Sequence, residues 1–270
     1  AEEREVGEEL KAQGQAVTPT LVKYAERSEY LVRTREAQRG LSAPLAGGAP
    51  AGGVSARLVQ YDADAEARLA AALLYRFASA PYEEVWARVR TMGEEERRGV
   101  IAACLEHLGP HDAPTRELEL VAYTFDLVMD YGAYREFKRH RMQSYVPQPL
   151  TTALGFLPPP LVEEAGLLGP FHEAMEVADR AYRRLAGWSP EVAQYVATHA
   201  HLRRVLARMD LRECYHVFKL RTSPQAHFSI CRAMARAYRL VQETHPALMR
   251  YVEKVLRTQP EAVLRAAEEE

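Results

Sequence analysis

Hydrophobic and polar positions alternate along residues 118–129 with a period of two. The apolar side chains of one face are Val121, Tyr123, Phe125, Leu127 and Met129. The other face carries polar residues, among them Glu119, Thr124 and Asp126. A period of two is typical of a β-strand with one face buried. The stretch therefore predicts a half-buried strand.

Other segments add shorter strands and several amphipathic helices. Residues 56–61 and 202–209 are predicted as strands, because short apolar runs bounded by turn residues favour this structure. Segments whose apolar residues recur every three or four positions are predicted as helices. These are residues 94–107, 131–140, 171–186 and 225–243, and the segment after the first strand that carries Leu69, Leu73 and Leu74 on one face. Residues 211–219 are a further candidate helix. Residues 145–160 contain five prolines and are predicted as an extended loop.

The order of these elements sets the expected fold class. Strands and helices mix without a regular strand–helix–strand rhythm, and no glycine-rich phosphate loop follows a strand. The sequence therefore predicts an α+β domain with a small mixed sheet and long helices, and it excludes a dinucleotide-binding fold.

The composition of residues 40–54, GLSAPLAGGAPAGGV, marks a boundary between domains. A segment this rich in glycine, alanine and proline is typical of a flexible joint. We therefore predict a linker at 39–54, a main domain at 55–258 and a polar tail at 259–270.

Two eight-residue stretches resemble each other, and one of them lies before the linker. Pro19–Glu26 and Pro246–Glu253 share proline, leucine, tyrosine and glutamate at matching positions. Similarity at a fixed offset suggests a duplication. We therefore predict that residues 1–38 are the helical end of an upstream repeat. Coincidence between two amphipathic helices is the alternative explanation.

Charge and cysteine usage exclude several classes of protein. The formal net charge is −2, and the basic residues are spread along the chain, which argues against a nucleic-acid-binding protein. No run of 18 apolar residues is present, which argues against a membrane span. The three cysteines show no CxxC spacing, so we expect no metal site. With no signal peptide recognised, we expect a cytoplasmic protein.

Two clusters of polar residues are candidates for chemistry. Arg139-His140-Arg141 lies at the predicted end of a helix, just before the proline-rich loop, where cations are placed to meet a phosphate or an electron-rich ring. In the second cluster, Arg212 and His216 are four residues apart and share one helix face. Arg221 follows at the predicted end of that helix. Solvated helix ends and surface ion pairs would give the same residues.

The order and spacing of these motifs resemble the flavin-dependent thymidylate synthases over most of residues 55–256. That family carries Arg-His-Arg, two residues and Ser, which correspond here to residues 139–141 and Ser144. It then carries Asn-x-Arg-Ser/Glu, Leu-Arg and a His-Ala-Gln-like stretch. The corresponding residues here are Asp210, Arg212, Glu213, Leu220, Arg221 and Gln225-Ala226-His227. A glutamate at the start of the preceding strand corresponds to Glu119.

The resemblance implies a homo-oligomer that methylates dUMP to dTMP in nucleotide biosynthesis. FAD lies between subunits of the family's tetramer, and methylenetetrahydrofolate and NADPH are co-substrates. By this resemblance the residues that contact or position FAD are Arg139, His140, Arg141, Glu119 and Arg212. By the same resemblance Arg221 and Ser144 bind the nucleotide. No residue is assigned a catalytic role.

The loop after Ser144 departs from the family's pattern. Pro147, Pro149 and Thr151 stand where the family has Glu, Ser and Arg, and proline offers neither a side-chain donor nor a backbone N–H. Asp210 also stands where the family has Asn. Two hypotheses follow: a flavin enzyme with an altered nucleotide loop, or a catalytically degenerate copy of a tandem protein that serves assembly or flavin and nucleotide binding. A helical interaction module without a cofactor is the third.

Overall fold

The computed structural model describes residues 2–45 and 52–268. The chain divides into two compact units, Ala1–Ala49 and Pro50–Glu270. The first unit contains α1 (Glu2–Val17), α2 (Pro19–Val22), α3 (Glu29–Ser42) and a 3₁₀ turn at Ala43–Leu45. The helix α3 therefore runs past residue 38 into the predicted linker, of which residues 46–51 lie outside the described part of the chain.

The second unit contains four strands and eleven helices among its described residues. The strands are β1 (Ser55–Tyr61), β2 (Ala122–Asp130), β3 (Ser144–Pro147) and β4 (Leu202–Asp210). The helices before β4 are α4 (Ala65–Tyr75), α5 (Tyr82–Thr91), α6 (Glu94–Leu105), α7 (Tyr131–Phe137), α8 (Pro160–Glu164), α9 (Leu168–Ala186) and α10 (Pro190–Ala193). Those after it are α11 (Leu211–Arg221), α12 (Phe228–Thr244), α13 (Pro246–Met249) and α14 (Pro260–Glu268).

The strands form one sheet in the order β1-β2-β4-β3, which confirms the α+β class. All three strand pairings are antiparallel, so the sheet is antiparallel and the prediction of a mixed sheet was wrong. The alternating apolar face of β2 is buried, and all of its predicted members are fully shielded from solvent. Helix α12 packs on this sheet through its own apolar stripe. In the described part of the chain, no helix has the length and apolarity needed to cross a membrane.

The two central strands end in the same local structure. Both β2 and β4 have nine residues, and both end in an aspartate that caps the next helix. Asp130 Oδ1 accepts a hydrogen bond from the Ala133 N–H at 2.8 Å, and Asp210 Oδ1 accepts one from the Glu213 N–H at 2.7 Å. Because Asp130 pairs with Leu202 in an antiparallel register, the two caps lie at opposite edges of the sheet.

Two predicted elements differ from those observed near β2 and β3. The stretch 118–129 begins as a 3₁₀ turn at Arg116–Leu120, and β2 starts only at Ala122. The proline-rich loop begins with a strand, because Ser144–Pro147 pairs with β4. An edge strand tolerates Pro147, since one side of its backbone needs no partner.

The predicted polar tail contains a packed helix. Helix α14 lies against α12, and its residues Val263 and Ala267 are buried. Apolar positions four residues apart share one helix face, which explains why this polar segment docks on the core. The helical segment Tyr82–Thr91 was also missed, although it buries Val85 and Val89 on one face.

A buried histidine makes the stability of the fold sensitive to pH. His245 is buried, and its Nδ1 lies 3.0 Å from the hydroxyl of Tyr123. Burial lowers the pKa of His245 below its ordinary value. As pH falls through about 6.5, the unfolded chain gains a proton that the folded chain resists, so the free energy of unfolding falls.

We predict that His245→Asn, which keeps a polar group near Tyr123, reduces the loss of thermal stability between pH values of about 7.5 and 5.5. The melting temperature of each variant at both pH values measures this loss. His107→Asn, at an exposed position, is the control and should retain the full loss. An unchanged loss in His245→Asn would contradict the prediction.

Candidate functional site

A cavity of about 580 Å³ lies where α11 meets the segment after α7. Basic side chains that line it are Arg139, Arg141, Arg212, Lys219 and Arg221, whereas Asp112 and Glu213 are its acidic lining residues. An excess of positive charge favours an anionic ligand. The cavity therefore has the size and charge expected for a phosphorylated small molecule.

Antiparallel pairing brings the two sequence motifs of this cavity together. The pairing of Ser144 with Arg208 places the end of α7 near the end of β4. The helix α11 begins there, after the Asp210 cap. The residues of the Arg-His-Arg motif thus face side chains that are about 70 to 80 positions later in the sequence.

His140 lies at the centre of a buried polar network. Its side chain is 4% exposed, and that of Glu213 is 5% exposed. Arg221 Nε donates a hydrogen bond to His140 Nε2 at 2.8 Å. Since arginine only donates, Nε2 accepts and the ring proton of a neutral His140 lies on Nδ1. That nitrogen is 3.3 Å from Glu213 Oε1, which has no hydrogen-bond partner among the described residues, so the carboxylate acts on the ring through its charge and not through a hydrogen bond.

Glu136 extends this network from the last turn of α7. Its Oε2 accepts a hydrogen bond from Arg221 Nη1 at 2.7 Å. The guanidinium of Arg221 is thereby shared between a carboxylate and an imidazole. A ligand that uses Arg221 has to compete with Glu136 for it, because one planar fork serves a limited number of acceptors.

A second ion pair supports the rim of the cavity. Arg212 Nη1 donates to Glu119 Oε1 at 3.0 Å, and Arg212 Nε donates to the carbonyl of Pro114 at 2.8 Å. Arg116 also binds Glu119, at 2.9 Å. The hydrogen bond from Arg116, aided by Arg212, lowers the pKa of Glu119. Glu119 is therefore placed behind Arg212 and does not itself line the cavity.

The predicted site residues divide into three groups. Arg139, His140, Arg141, Arg212 and Arg221 line the cavity together. Glu119 reaches it only through Arg212. Ser144 is exposed on β3 and is not among the lining residues.

Arg139 and Arg141 are the uncommitted cations of the cavity. Both are exposed, and neither is held in an ion pair with another described residue. Lys219 differs, since its ammonium group donates to the Pro110 carbonyl. The two flanking arginines are thus free to bind a ligand, whereas His140 between them is hydrogen-bonded to Arg221.

Glu136 was not predicted from the sequence as a site residue, and Glu213 was matched to the family's motif without a role. Glu136 lies four residues before His140 in the predicted helix 131–140, and this spacing is the signal that could have placed the two on one face. The proline-rich loop supplies no side chain to the cavity lining: Pro147 lies in β3, and Thr151 Oγ1 accepts from the Ala153 N–H within its own turn.

Curated relatives match most of the chain. A UPF0159 protein of Chlamydia muridarum is 33% identical over 201 residues, which are 74% of this chain and 38% of that protein. A UPF0159 protein of Thermoplasma acidophilum is 31% identical over 200 residues, which are 71% of this chain and 39% of that protein. The chain therefore spans less than half the length of these relatives.

A solved structure has a similar fold. A UMP/dUMP methylase, PolB from Streptomyces cacaoi, bound with 5-Br dUMP, matches 79% of this chain and 100% of its own chain with a TM-score of 0.59. At 17% identity this likeness shows the fold alone. Residues 57–247 match the family described as thymidylate synthase complementing proteins. The chain therefore belongs to the thymidylate synthase complementing protein family.

Proposed function

We propose that Pro50–Glu270 is a flavin-binding thymidylate synthase-like domain whose grip on dUMP is weakened. The observation that carries this proposal is the cavity in which Arg139 and Arg141 remain free while His140 is hydrogen-bonded to Arg221 and lies beside the Glu213 carboxylate. Free arginines beside a rigid imidazole suit a ligand that combines phosphates with a planar ring.

The residues of the cavity fit FAD by charge and by shape. Arg139 and Arg141 would take the negatively charged pyrophosphate, and Arg212, oriented by Glu119, would face the electron-rich ring system. Buried Cys214 has a pKa raised well above its ordinary value by burial, so it offers no reactive thiolate. Chemistry at this site would rely on a bound cofactor rather than on a protein thiol.

Bound reduced FAD would supply the hydride and carry the methylene group from methylenetetrahydrofolate, with NADPH as reductant. The side chains described here would bind and orient the ligands. His140, with Nε2 occupied by Arg221, would act as a rigid support rather than as a proton carrier. An active form of this domain would be a methyltransferase that converts dUMP to dTMP.

We predict that Arg139→Gln and Arg141→Gln each weaken FAD binding about tenfold or more, because each removes a charge-assisted hydrogen bond to phosphate. Fluorescence quenching of FAD on titration with protein measures the dissociation constant. The control is Lys138→Gln, which removes a neighbouring exposed cation that does not line the cavity. Equal weakening in the control would mean that the effect is non-specific, and the assigned site would be wrong.

Glu136 is the residue that weakens the nucleotide site in this proposal. The resemblance gives Arg221 to dUMP, and in this chain Glu136 already occupies one of its nitrogens. The carboxylate also repels the phosphate of an incoming nucleotide. Loss of the polar groups at Pro147, Pro149 and Thr151 adds to this effect.

We predict that Glu136→Gln strengthens dUMP binding about fivefold or more, because a weaker, neutral hydrogen bond replaces the ion pair to Arg221 and a like charge is removed. The change of the flavin absorption spectrum on dUMP titration gives the affinity, provided that FAD is bound. Glu95→Gln, at an exposed position on α6, is the control for the charge change alone. Unchanged or weaker dUMP binding in Glu136→Gln would contradict this role of Glu136.

A second candidate function is that of one copy in a tandem protein. It is favoured by the similar backbone conformation of the two matching stretches. Thr18 has φ −137° and ψ 60°, and His245 has φ −135° and ψ 69°. Each precedes a four-residue helix that begins with proline and follows a long helix. Such an order of helices would let a duplicated chain build, as a dimer, what the family builds from four subunits.

Tyr24 is exposed, although the matching residue of the other eight-residue stretch, Tyr251, is buried. Tyr251 is 6% exposed and lies in the core of the second unit, whereas its counterpart Tyr24 is 81% exposed. Leu21 is exposed and its counterpart Leu248 is buried. The tandem proposal assigns these side chains to the core of an upstream copy.

We predict that Tyr251→Ala lowers the melting temperature of this chain by several degrees and that Tyr24→Ala leaves it unchanged. In a longer product of the same gene, Tyr24→Ala should destabilise as strongly as Tyr251→Ala. The DNA upstream of the codon for Ala1 decides whether such a product exists. A start codon directly beside that codon would contradict the tandem proposal.

A further inference from the structure

A second cavity, of about 430 Å³, lies at the C-terminal end of β2. We call it the β2 cavity. It is separated from the candidate site by the length of the central strands, because β2 and β4 end at opposite edges of the sheet. Its apolar walls include Leu157, Phe171, Met175 and Phe228. Cavities with aromatic walls and few polar groups are the usual form of small-molecule sites.

Asp130 carries an unsatisfied oxygen at this cavity. The residue is 3% exposed and lines the cavity. Its Oδ1 caps α7, but its Oδ2 has no hydrogen-bond partner among the described residues. Leaving a buried acceptor unsatisfied typically costs about 1–3 kcal/mol, and more when it is charged. Such a group in a folded protein calls for a partner.

His227 supplies a second polar atom beside it. Its Nδ1 is buried, has no hydrogen-bond partner among the described residues, and lies 3.9 Å from Asp130 Oδ2. This distance is too long for a hydrogen bond. The two groups therefore face each other without satisfying each other.

The other histidines of this region are already engaged. His199 Nε2 accepts from Arg135 Nη1 at 3.0 Å, and His201 Nδ1 accepts from the Thr198 N–H at 3.0 Å. Asp130 and His227 are therefore the polar groups that remain available at the β2 cavity. The equivalent aspartate of β4, Asp210, is less buried, so water can satisfy its second oxygen.

We propose that the β2 cavity binds a small planar nitrogen compound, an amidine or amino-substituted heterocycle, whose N–H group donates to Asp130 Oδ2. A planar group with delocalised charge loses less hydration on burial than an ammonium does, and it stacks on aromatic rings. Phe171 and Phe228 offer such rings, and His227 Nδ1 gives a second point of hydrogen bonding. This site is independent of the flavin and nucleotide cavity.

Benzamidine is the probe for this proposal, and benzoate is its counterpart of similar shape and opposite charge. Isothermal titration calorimetry on the whole chain should show saturable binding of benzamidine at concentrations on the order of 1 mM and none of benzoate. No saturable binding of benzamidine, or equal binding of benzoate, would overturn the proposal.

Asp130→Asn tests the contact itself. The amide keeps the oxygen that caps α7 and replaces the free oxygen with a donor, so benzamidine binding should weaken at least tenfold. Asp210→Asn makes the same change at the other strand end and should leave the dissociation constant unchanged. Benzamidine binding that is as tight in Asp130→Asn as in the wild type would overturn the proposal.

Phe171→Ala tests the same ligand position independently, in case Asp130→Asn does not fold. Phe171→Ala removes part of an aromatic wall at a half-buried position and should weaken benzamidine binding severalfold. Circular dichroism of each variant shows whether it is folded. A folded Phe171→Ala protein with unchanged benzamidine affinity would contradict the placement of the ligand.

Discussion

The antiparallel pairing of β2 with β4 is the constraint on which the functional geometry depends. Nine paired residues hold the strands in a register that runs from Ala122↔Asp210 to Asp130↔Leu202. Each strand then ends in an aspartate that starts a helix. A slip by one residue would move the apolar residues Tyr123, Phe125, Leu127 and Met129 to the opposite face of the sheet and would shift both helices. The register therefore places the candidate site at one edge of the sheet and the β2 cavity at the other.

The polar network at the candidate site determines which of its cations are free to bind a ligand. His140 is fixed on Nε2 by the guanidinium of Arg221, and its Nδ1 lies 3.3 Å from the carboxylate of Glu213. The flanking arginines are left free for a ligand, but Arg221 is drawn toward Glu136. In the proposed function, the free arginines would bind a flavin, whereas Glu136 would compete with a nucleotide for Arg221. A fold can be retained while the function changes, because different residues determine each.

The sequence predicted those features that depend on local pattern. The buried face of β2 followed from alternation alone, and the motif around Arg139 and Arg221 was found by order and spacing. The link between Glu136 and Arg221 spans 85 positions, so no local pattern contained it. In the sequence, Glu136 resembles an ordinary solvated residue of a helix. The register of the sheet places it opposite α11, where it meets Arg221.

The strand β3 and the helix α14 were not predicted, because tertiary contacts outweighed the local sequence signals. A segment with five prolines is predicted as a loop, yet its first residues form a strand because they pair with β4 at the edge of the sheet. Likewise, a charged C-terminal segment became a packed helix since a few apolar residues such as Val263 share one face. The unsatisfied oxygen of Asp130 is also a property of packing, and its residue type alone indicated no more than a helix cap.

The central claim is that this domain holds FAD, and the most direct measurement is the visible absorption spectrum of the protein after incubation with FAD and gel filtration. The account predicts a flavin band that elutes with the protein and that is lost in a double Arg139→Gln, Arg141→Gln variant. A colourless wild-type protein that retains no added FAD would contradict the account. The domain would then be a family member whose cofactor site no longer functions.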